Sequence, residues 1–227
     1  MLEVSMMNPV YANVVVMAKV PTPGRAKTRL IPHLGPEGAA GLCRAMTADV
    51  FATVQLSGNP WRVALDGDLD DPWVSTIPVP YEPQAPGDLG ARLRHALRDG
   101  GIAVGTDSPT VPRQVLSWTA NLLLEYDVVF GPAFDGGYVL VGVRDPAVAG
   151  PGGIFDDIPW SSTETYAASI ERARALGLRH SSLAFWYDID EPRDLAFLRA
   201  QLRVLPQNVA PATRAFLQEH PHAAPHR

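Results

Sequence analysis

Four cationic side chains stand close together directly after the first apolar run of the sequence: Lys19, Arg25, Lys27 and Arg29. A loop in which backbone amides, Lys and Arg converge is suited to a polyphosphate. A solvated basic loop is the alternative, but such a cluster in a chain of net charge −5 favours an anionic partner. Only Gly24-x-x-Lys27-Thr28 of the Walker A pattern is present, so a P-loop is excluded.

Carboxylates follow three later apolar runs. Asp107 stands in a Gly-Thr-Asp-Ser-Pro segment, Asp135 precedes a pair of glycines, and Asp188 and Asp190 are separated by one residue. Because side chains alternate along an extended chain, Asp188 and Asp190 point to the same side. Carboxylates bind Mg²⁺ or Mn²⁺, these ions bridge phosphate oxygens, and Lys and Arg neutralise the remaining charge. The pattern indicates an enzyme that handles nucleotide phosphates.

Most of these acidic residues also have a purely structural interpretation. Asp107 could form a turn or cap a helix. Asp135 could belong to a hairpin turn through Asp-Gly. Asp190 could cap the final helix, with Pro192 in its first turn. Asp188 has no such alternative, which favours a small carboxylate cluster.

Two other patterns are excluded as metal sites. The run Asp66-Gly67-Asp68 begins like a calcium loop, but Asp71 occupies the sixth position, where a glycine is needed. The six histidines show no ligand or triad spacing. The single cysteine, Cys43, excludes a disulfide framework and a Cys-rich zinc site, and we expect it to pack as a small buried apolar residue.

Short apolar runs alternate with amphipathic ones, which predicts an α/β sheet with helices on both faces. The expected strands are 14–18, 61–65, 77–81, 102–105, 127–131, 138–143 and 182–188. The expected helices are 36–55, 89–98, 112–124, 161–176 and 195–205, the fourth opened by a capping box at Ser161-x-x-Glu164. Sheets of this class bind ligands beyond the carboxyl ends of their strands, where the cations and carboxylates fall.

Composition narrows the class of protein further. The chain has 227 residues, of which 46% are hydrophobic and 19% charged, which excludes a disordered or fibrous protein. We expect one domain over residues 1–210 and a loosely ordered tail over residues 211–227. The acidic balance argues against a nucleic-acid partner. No apolar run approaches the roughly 18 residues of a membrane span, and the first ten residues lack a basic signal-peptide region. These features favour a cytoplasmic monomer or homodimer.

Six motifs occur in the order found in a known bacterial family. They are Met17-Ala18-Lys19-x-Pro21-x-x-Gly24-x-x-Lys27-Thr28-Arg29-Leu30, Gly87-Asp88-Leu89-Gly90-x-Arg92, Gly105-Thr106-Asp107-Ser108-Pro109, Gly131-Pro132-x-x-Asp135-Gly136-Gly137-Tyr138, Pro159-Trp160-Ser161-Ser162-Thr163 and Asp188-x-Asp190-x-Pro192-x-Asp194-Leu195. Over about residues 12 to 200 the chain resembles the DUF2064 family, glycosyltransferase-like proteins associated with radical-SAM and selenium-domain proteins. That family is similar to nucleotide-diphospho-sugar transferases (GT-A fold) and to the guanylyltransferases that activate phospholactate or phosphoenolpyruvate.

The resemblance implies a GT-A, Rossmann-type three-layer α/β/α sandwich with a mostly parallel sheet. It implies that Lys19, Arg25, Lys27 and Arg29, in the loop with Gly24 and Thr28, contact the nucleotide phosphates. Asp107 and Asp188 or Asp190 would hold Mg²⁺ or Mn²⁺, with Lys27 and Asp107 as the catalytic residues. Asp135 would be a third ligand or, with Gly136 and Gly137, part of the acceptor site. Gly87 and Asp88 would lie against the base or the acceptor, and Trp160 and Ser161 would border the acceptor pocket.

One departure from the family of folds guides the choice of reaction. Most glycosyltransferases of this fold carry Asp-x-Asp at the metal position, whereas Gly105 stands here where the first Asp would be. This favours nucleotidyl transfer from a nucleoside triphosphate to a small phosphorylated acceptor, with release of pyrophosphate. Glycosyl transfer from a nucleotide sugar is the alternative, and a nucleotide-binding module without catalysis is a third possibility.

Overall fold

A computed structural model describes residues 11–221 of the chain. Its strands are β1 (Val14–Lys19), β2 (Trp61–Asp66), β3 (Tyr81–Pro83), β4 (Gly101–Gly105), β5 (Val128–Pro132), β6 (Tyr138–Val143) and β7 (His180–Ser182). Its helices are α1 (Ile31–Leu56), α2 (Leu89–Ala96), α3 (Gln114–Leu122), α4 (Pro146–Ala149), α5 (Thr165–Ala175), α6 (Pro192–Val204) and α7 (Pro211–Glu219). Short 3-10 turns cover Thr28–Leu30 and Pro72–Thr76.

The seven strands form one sheet in the order β3-β2-β1-β4-β6-β5-β7. Strand β6 is antiparallel to both of its neighbours, and the other pairings are parallel. The loops that leave β1, β2, β4 and β5 therefore all emerge at the same edge of the sheet. The predicted mostly parallel sheet is confirmed, and this edge carries the candidate site.

The two faces of β1 pack against different helices, because its side chains alternate. Val16 shares a core cluster with Val50 of α1 and Leu116 of α3. Val15 instead packs with Ala96 of α2. Helices thus cover both faces of the sheet, and the expected three-layer α/β/α sandwich is confirmed.

Two predicted strand boundaries are wrong. The strand expected at 77–81 begins only at Tyr81, because Pro78 and Pro80 have no N–H to donate to a ladder. The last strand, expected over 182–188, already ends at Ser182. Beyond Ser182 the chain stays beside β5 through an isolated bridge between Trp186 and Ala133 and does not continue the regular ladder.

The helix expected over 161–176 begins at Thr165, and the capping box expected at Ser161 is not formed. Ser161 has a φ of +59°, a left-handed conformation that does not begin a helix. A capping box forms instead at α6, where Glu191 and Asp194 exchange side chain–backbone hydrogen bonds.

The expectation of a loosely ordered tail is wrong for residues 211–219, which form α7. The buried Asp49 carboxylate of α1 accepts hydrogen bonds from the N–H groups of Ala212 (2.9 Å) and Thr213 (2.7 Å) in the first turn of α7. Arg199 of α6 donates to carbonyls at the other end of the helix, those of Leu217 and His220. The helix is therefore fixed at both ends.

Three further expectations have different outcomes. Cys43 is buried, as predicted. Within residues 11–221, no helix combines the length and the apolar character needed to cross a bilayer. The extent of the domain stays a prediction, and the expectations for residues 1–10 and 222–227 lie outside the described residues.

Candidate functional site

A cleft of about 500 Å³ lies at the edge of the sheet where β1, β2 and β4 end. Its floor includes Met17 and Ala18 from β1 and Gly105 from β4. Exposed cations and half-buried carboxylates at the strand ends and in the loops beyond them form the rim: Lys19, Arg25, Arg29, Asp66, Asp107 and Asp190. The cleft therefore brings together the basic loop and two of the three predicted metal-ligand carboxylates.

The ammonium group of Lys27 lies at the meeting point of these loops. Its Nζ is 2.6 Å from Asp107 Oδ1 and 2.8 Å from Asp190 Oδ1, and it donates a hydrogen bond of 2.6 Å to the carbonyl of Ile189. Only 5% of the Lys27 side chain is exposed. An ammonium has three N–H donors, and these three contacts engage them all. In this structure Lys27 lines the cleft, but its ammonium is engaged by carboxylates rather than free to contact a phosphate.

Two hydrogen bonds to backbone carbonyls hold the loops of the two carboxylates in place. The N–H of Ile189 donates to the carbonyl of Asp107 (2.9 Å), and the Ser108 hydroxyl donates to the carbonyl of Tyr187 (2.7 Å). These bonds join the loop after β4 to the extended segment after β7. Glu191, rather than Asp190, is the N-cap of α6, and Asp194 accepts the N–H groups of Asp190 and Glu191. The Asp190 carboxylate therefore contacts Lys27 instead of capping the helix.

The charges of this cluster stabilise one another. Burial alone would lower the pKa of Lys27, but the carboxylates of Asp107 and Asp190 outweigh it and hold that pKa above its ordinary value. Burial would likewise raise the pKa of Asp190, but Lys27 and Arg29 hold it below its ordinary value. The Lys27–Asp190 pair therefore stays ionised at neutral pH.

The remaining predicted phosphate-binding residues are exposed. Lys19, Arg25, Thr28 and Arg29 all line the cleft and are accessible to a ligand. Gly24, with a φ of +79°, forms the left-handed turn that lets the loop fold back over the strand. Apart from Lys27, the basic loop has the accessible cations that a polyphosphate would need.

A second cavity, of about 440 Å³, adjoins the cleft on the α6 side. Arg29 and Asp190 line both spaces. Asp135 and Asp188 line the second one, together with the exposed aromatic rings of Phe134 and Phe197. Asp135 and Asp188 are thus brought near the cleft, as members of the adjoining space.

Asp188 is the acidic residue most affected by its neighbours. Burial, and after it the negative charges of Asp135, Asp190 and Asp107, together raise its pKa to about 6. Tyr187 and Ile189 on either side are buried, so Asp188 and Asp190 face the same way, as the sequence spacing predicted. The cluster carries an excess of negative charge that a cation would relieve.

Three of the residues predicted to lie near the base or the acceptor line a third cavity, away from the main cleft. Gly87, Asp88 and Trp160 line a separate cavity of about 630 Å³ behind α2, whereas Leu89 and Leu93 of that helix line the main cleft. Asp88 caps α2 by accepting the N–H of Ala91 (2.9 Å). These side chains are not brought together with Lys27. Ser161 is exposed and is not among the residues lining the main cleft.

The two glycines after Asp135 have a structural role. Gly137 donates its N–H to Asp135 (2.8 Å), which closes the hairpin turn between β5 and β6. Gly136 has a φ of +91°, and a Cβ there would lie 2.6 Å from the Cα of Thr163. The hairpin interpretation and the proximity of Asp135 to the cleft both hold.

Sequence reasoning missed the position of Gln84 and Asp66 at the rim of the cleft, and the contacts that Arg92 makes with both. The Gln84 amide donates to the carbonyls of Ala18 (3.2 Å) and Ala64 (3.1 Å), and its oxygen accepts from Arg92. Arg92 also contacts Asp66 at 3.0 Å. Asp66 could have been identified from the sequence, because it directly follows the second predicted strand just as Asp107 closely follows the fourth.

The donor set suits a hard divalent cation without forming a closed cage. Among residues 11–221, no three His, Cys, Asp or Glu side chains group as a metal centre. Asp107 and Asp190 nevertheless both place an oxygen on one cation, the Lys27 ammonium. Mg²⁺ is commonly held by one or two carboxylates together with substrate phosphates, and this pair fits that mode.

Comparisons with known proteins agree with the fold. The family model described as "Uncharacterized protein conserved in bacteria (DUF2064)" matches residues 48–162. No curated protein matches the chain. Among solved structures, a proposed nucleotide-diphospho-sugar transferase from Desulfovibrio desulfuricans G20 is 30% identical, with a TM-score of 0.84 over 93% of this chain and 95% of that one.

Two more distant structures share the fold. The manganese complex of Rv0371c from Mycobacterium tuberculosis H37Rv is 16% identical, with a TM-score of 0.50 over 86% of this chain and 100% of that one. The 4-diphosphocytidyl-2C-methyl-D-erythritol synthase from Anaerococcus prevotii DSM 20548 is 10% identical, with a TM-score of 0.52 over the same shares. The architecture is thus that of the nucleotide-diphospho-sugar transferases. On the family match and the 30% identity, the chain belongs to the DUF2064 family.

Proposed function

We propose that this protein is a metal-dependent nucleotidyltransferase. It transfers the nucleotidyl group of a nucleoside triphosphate to a small phosphorylated acceptor and releases pyrophosphate. The observation that carries the proposal is the meeting of Asp107 and Asp190 on one cation, at the rim of a cleft lined by Lys19, Arg25 and Arg29.

The charges of the cleft suit a triphosphate. Of the three exposed cations, Lys19 ends β1, and Arg25 and Arg29 stand on the loop beyond it. They neutralise the β- and γ-phosphates as well as the pyrophosphate that forms from them. Such chemistry depends on positioning and charge neutralisation more than on a nucleophilic side chain. The buried Cys43, whose pKa burial raises to about 11, lines the cleft but is a thiol rather than a thiolate at neutral pH.

The proposed reaction is a single in-line displacement. An oxygen of the acceptor's phosphate attacks the α-phosphorus, and a new phosphoanhydride bond forms. The bond between the α-phosphorus and the oxygen bridging to the β-phosphate breaks, and pyrophosphate leaves with that electron pair. Asp107 and Asp190 are the residues that would hold Mg²⁺ or Mn²⁺, which when bound neutralises phosphate charge beside the basic loop.

The adjoining cavity gives the acceptor a place next to the nucleotide. Arg29 lines both spaces, so one guanidinium can contact the acceptor's phosphate and the triphosphate. Asp135 and the exposed rings of Phe134 and Phe197 offer contacts for the rest of the acceptor. We therefore place the acceptor here, rather than beside Trp160, which lines a cavity behind α2.

Glycosyl transfer from a nucleotide sugar is the second candidate. It is supported by the proposed nucleotide-diphospho-sugar transferase of Desulfovibrio desulfuricans G20, which is 30% identical to this chain. Gly105 and the buried Thr106 before Asp107 argue against it, because that loop supplies one carboxylate where the Asp-x-Asp pattern would supply two.

The two candidates differ in the product released. The purified protein is incubated with each of the four nucleoside triphosphates, a panel of small phosphorylated acids, and Mg²⁺ or Mn²⁺. Pyrophosphate release that needs both substrates supports nucleotidyl transfer. Release of a nucleoside diphosphate from UDP- or GDP-sugars instead supports glycosyl transfer.

Matched variants connect the activity with the site. Asp107→Asn removes one metal-binding carboxylate, and it should abolish pyrophosphate release. Asp99→Asn alters an exposed carboxylate just before β4, at the opposite end of that strand, and serves as the control. Equal loss in both variants, or none in Asp107→Asn, would contradict the proposed site.

A further inference from the structure

We propose that Lys27 is an internal counter-ion that competes with the divalent metal for Asp107 and Asp190. The ammonium holds the two carboxylates while the metal is absent, and it releases them when metal and polyphosphate bind together. Lys27 is then a positioning residue that makes metal binding depend on the nucleotide. This inference rests on the proposed function for its purpose, but its test does not require turnover.

The geometry makes the two cations mutually exclusive. Nζ lies 2.6 Å from Asp107 Oδ1 and 2.8 Å from Asp190 Oδ1, so it occupies the space between both oxygens. Mg²⁺ holds its oxygen ligands at about 2.0–2.1 Å, closer than the ammonium does. An ion bound to both oxygens would therefore overlap Nζ, and the ammonium has to move first.

The ammonium is well held in its present place. The carbonyl of Ile189 accepts a third hydrogen bond, and only 5% of the side chain is exposed. A metal ion arriving alone must displace a fully hydrogen-bonded cation from a partly buried position, where charges are weakly screened. We expect metal alone to bind weakly for this reason.

A polyphosphate changes the balance because it offers Lys27 new partners. The phosphate groups carried on the loop of Lys19, Arg25 and Arg29 would bring negative charge beside the displaced ammonium. They also complete the coordination of the metal, which two carboxylates leave mostly open. The phosphate contact predicted for Lys27 from the sequence would then form only after metal and polyphosphate have bound.

Manganese binding without nucleotide tests the competition directly. The free-ion signal of Mn²⁺ in electron paramagnetic resonance gives its affinity for the protein and for the variant Lys27→Met, which keeps the chain length without the charge. We expect Lys27→Met to bind Mn²⁺ at least about tenfold more tightly than the natural protein. Equal or weaker binding by a folded Lys27→Met overturns the proposal.

Two control variants separate competition from a general loss of positive charge. Lys19→Met removes an exposed cation from the same cleft, and its effect on Mn²⁺ affinity should stay within about threefold because solvent screens it. Lys27→Arg keeps a cation between the carboxylates and should also stay near the natural affinity. If Lys19→Met strengthens binding as much as Lys27→Met does, the effect is general and the proposal fails.

The natural protein offers a second measurement that does not depend on a variant folding. Its sequence contains two lysines, Lys19 and Lys27, so its ¹⁵N-labelled ammonium groups give at most two resonances besides the amino terminus. The Lys27 resonance, assigned by its absence from Lys27→Met or its retention in Lys19→Met, should be slowly exchanging. Mg²⁺ with inorganic tripolyphosphate should shift it or accelerate its exchange, whereas Mg²⁺ alone should not.

These outcomes are independent of the reaction catalysed. A Lys27 resonance that stays unchanged while Mg²⁺ and tripolyphosphate bind, seen by shifts of other resonances, overturns the proposal. If Mn²⁺ competition is found but no pair of substrates releases pyrophosphate, the proposed function fails and the Lys27 inference stands. If pyrophosphate is released but no competition is found, the proposed function stands and the Lys27 inference fails.

Discussion

Nζ of Lys27 lies 2.6 Å from Oδ1 of Asp107, although one residue follows β1 and the other follows β4. These strands are parallel neighbours, with Met17 paired to Gly105 at the end of the ladder. Loops that leave adjacent parallel strands in the same direction must meet beyond the sheet. The contact between the basic loop and the acidic loop is therefore a direct consequence of the strand order.

Replacing Asp107 with Asn should impair binding more than stability. The Asp107 side chain is 48% exposed, and Lys27 retains Asp190 and the Ile189 carbonyl, so unfolding free energy should fall by only about 1 kcal/mol. Binding of nucleoside triphosphate with Mg²⁺ should weaken at least about tenfold, because a charged ligand is lost. Thermal shift with each triphosphate measures both effects, and unchanged binding would remove Asp107 from the site.

Asp188 should make the metal-free protein less stable as the pH rises. Its pKa is about 6 in the folded protein, against about 3.9 for an unperturbed Asp. Between pH 4 and pH 6 the folded state therefore holds more protons than the unfolded state, so this group's contribution falls as the pH rises through that window. Above pH 6 the loss should be complete, at about 1–2 kcal/mol once solvent screening is allowed for.

The variant Asp188→Asn tests this sign. Urea unfolding in the presence of EDTA should show it to be more stable than the natural protein at pH 7.5, with the difference shrinking towards pH 4.5. A variant that is less stable at pH 7.5 than the natural protein would contradict the assigned cost of burying the Asp188 charge beside Asp135 and Asp190.

Sequence patterns predicted the strands that position the site more accurately than the contacts within it. The apolar run at 14–18 and the one at 102–105 are buried on both faces, so they appear as continuous hydrophobic segments followed by the functional loops. The partner of Lys27 was not predictable, because it depends on Ile189 N–H and Asp107 carbonyl meeting across the fold. A lysine near phosphate-binding residues has the same sequence signature whether it faces a ligand or a carboxylate.

Helix α7 shows a second limit of sequence reasoning. Of its nine residues, only Phe216 and Leu217 are large and apolar. Its order comes from distant groups: Asp49 in α1 accepts its first N–H groups, and Phe216 covers Gly41, where a Cβ would lie 2.9 Å from the ring. Neither partner is identifiable from the local sequence.

Gly136 should be intolerant of a side chain for two separate reasons. Its φ of +91° is unfavourable for other residues, and a Cβ would overlap the Thr163 backbone. Gly136→Ala should therefore lower the unfolding free energy by about 3 kcal/mol or more.

Gly24→Ala is the matched control for Gly136→Ala. Its φ is +79°, but no atom lies within 4 Å of a Cβ built there. The unfolding free energy should therefore fall by only about 1 kcal/mol, the cost of a left-handed backbone for alanine. Urea unfolding of both variants gives the difference. Equal losses would mean that the close approach to Thr163 does not constrain the hairpin.

Asp49 should be the residue on which the order of α7 depends. Its two oxygens accept the N–H groups of Ala212 and Thr213, and the carboxylate is 3% exposed, so burial raises its pKa although those bonds oppose the rise. Asp49→Ala leaves one buried donor (Thr213) and one half-buried donor (Ala212) without a partner, and it should lower the unfolding free energy by about 2–4 kcal/mol. Asp145→Ala removes the exposed cap of α4 and should lower it by only about 1 kcal/mol. Hydrogen exchange should show that the amides of Ala212 and Thr213 lose protection in Asp49→Ala but not in Asp145→Ala. Protection that is retained in Asp49→Ala would mean that packing against Gly41 and α6 is sufficient to order the helix.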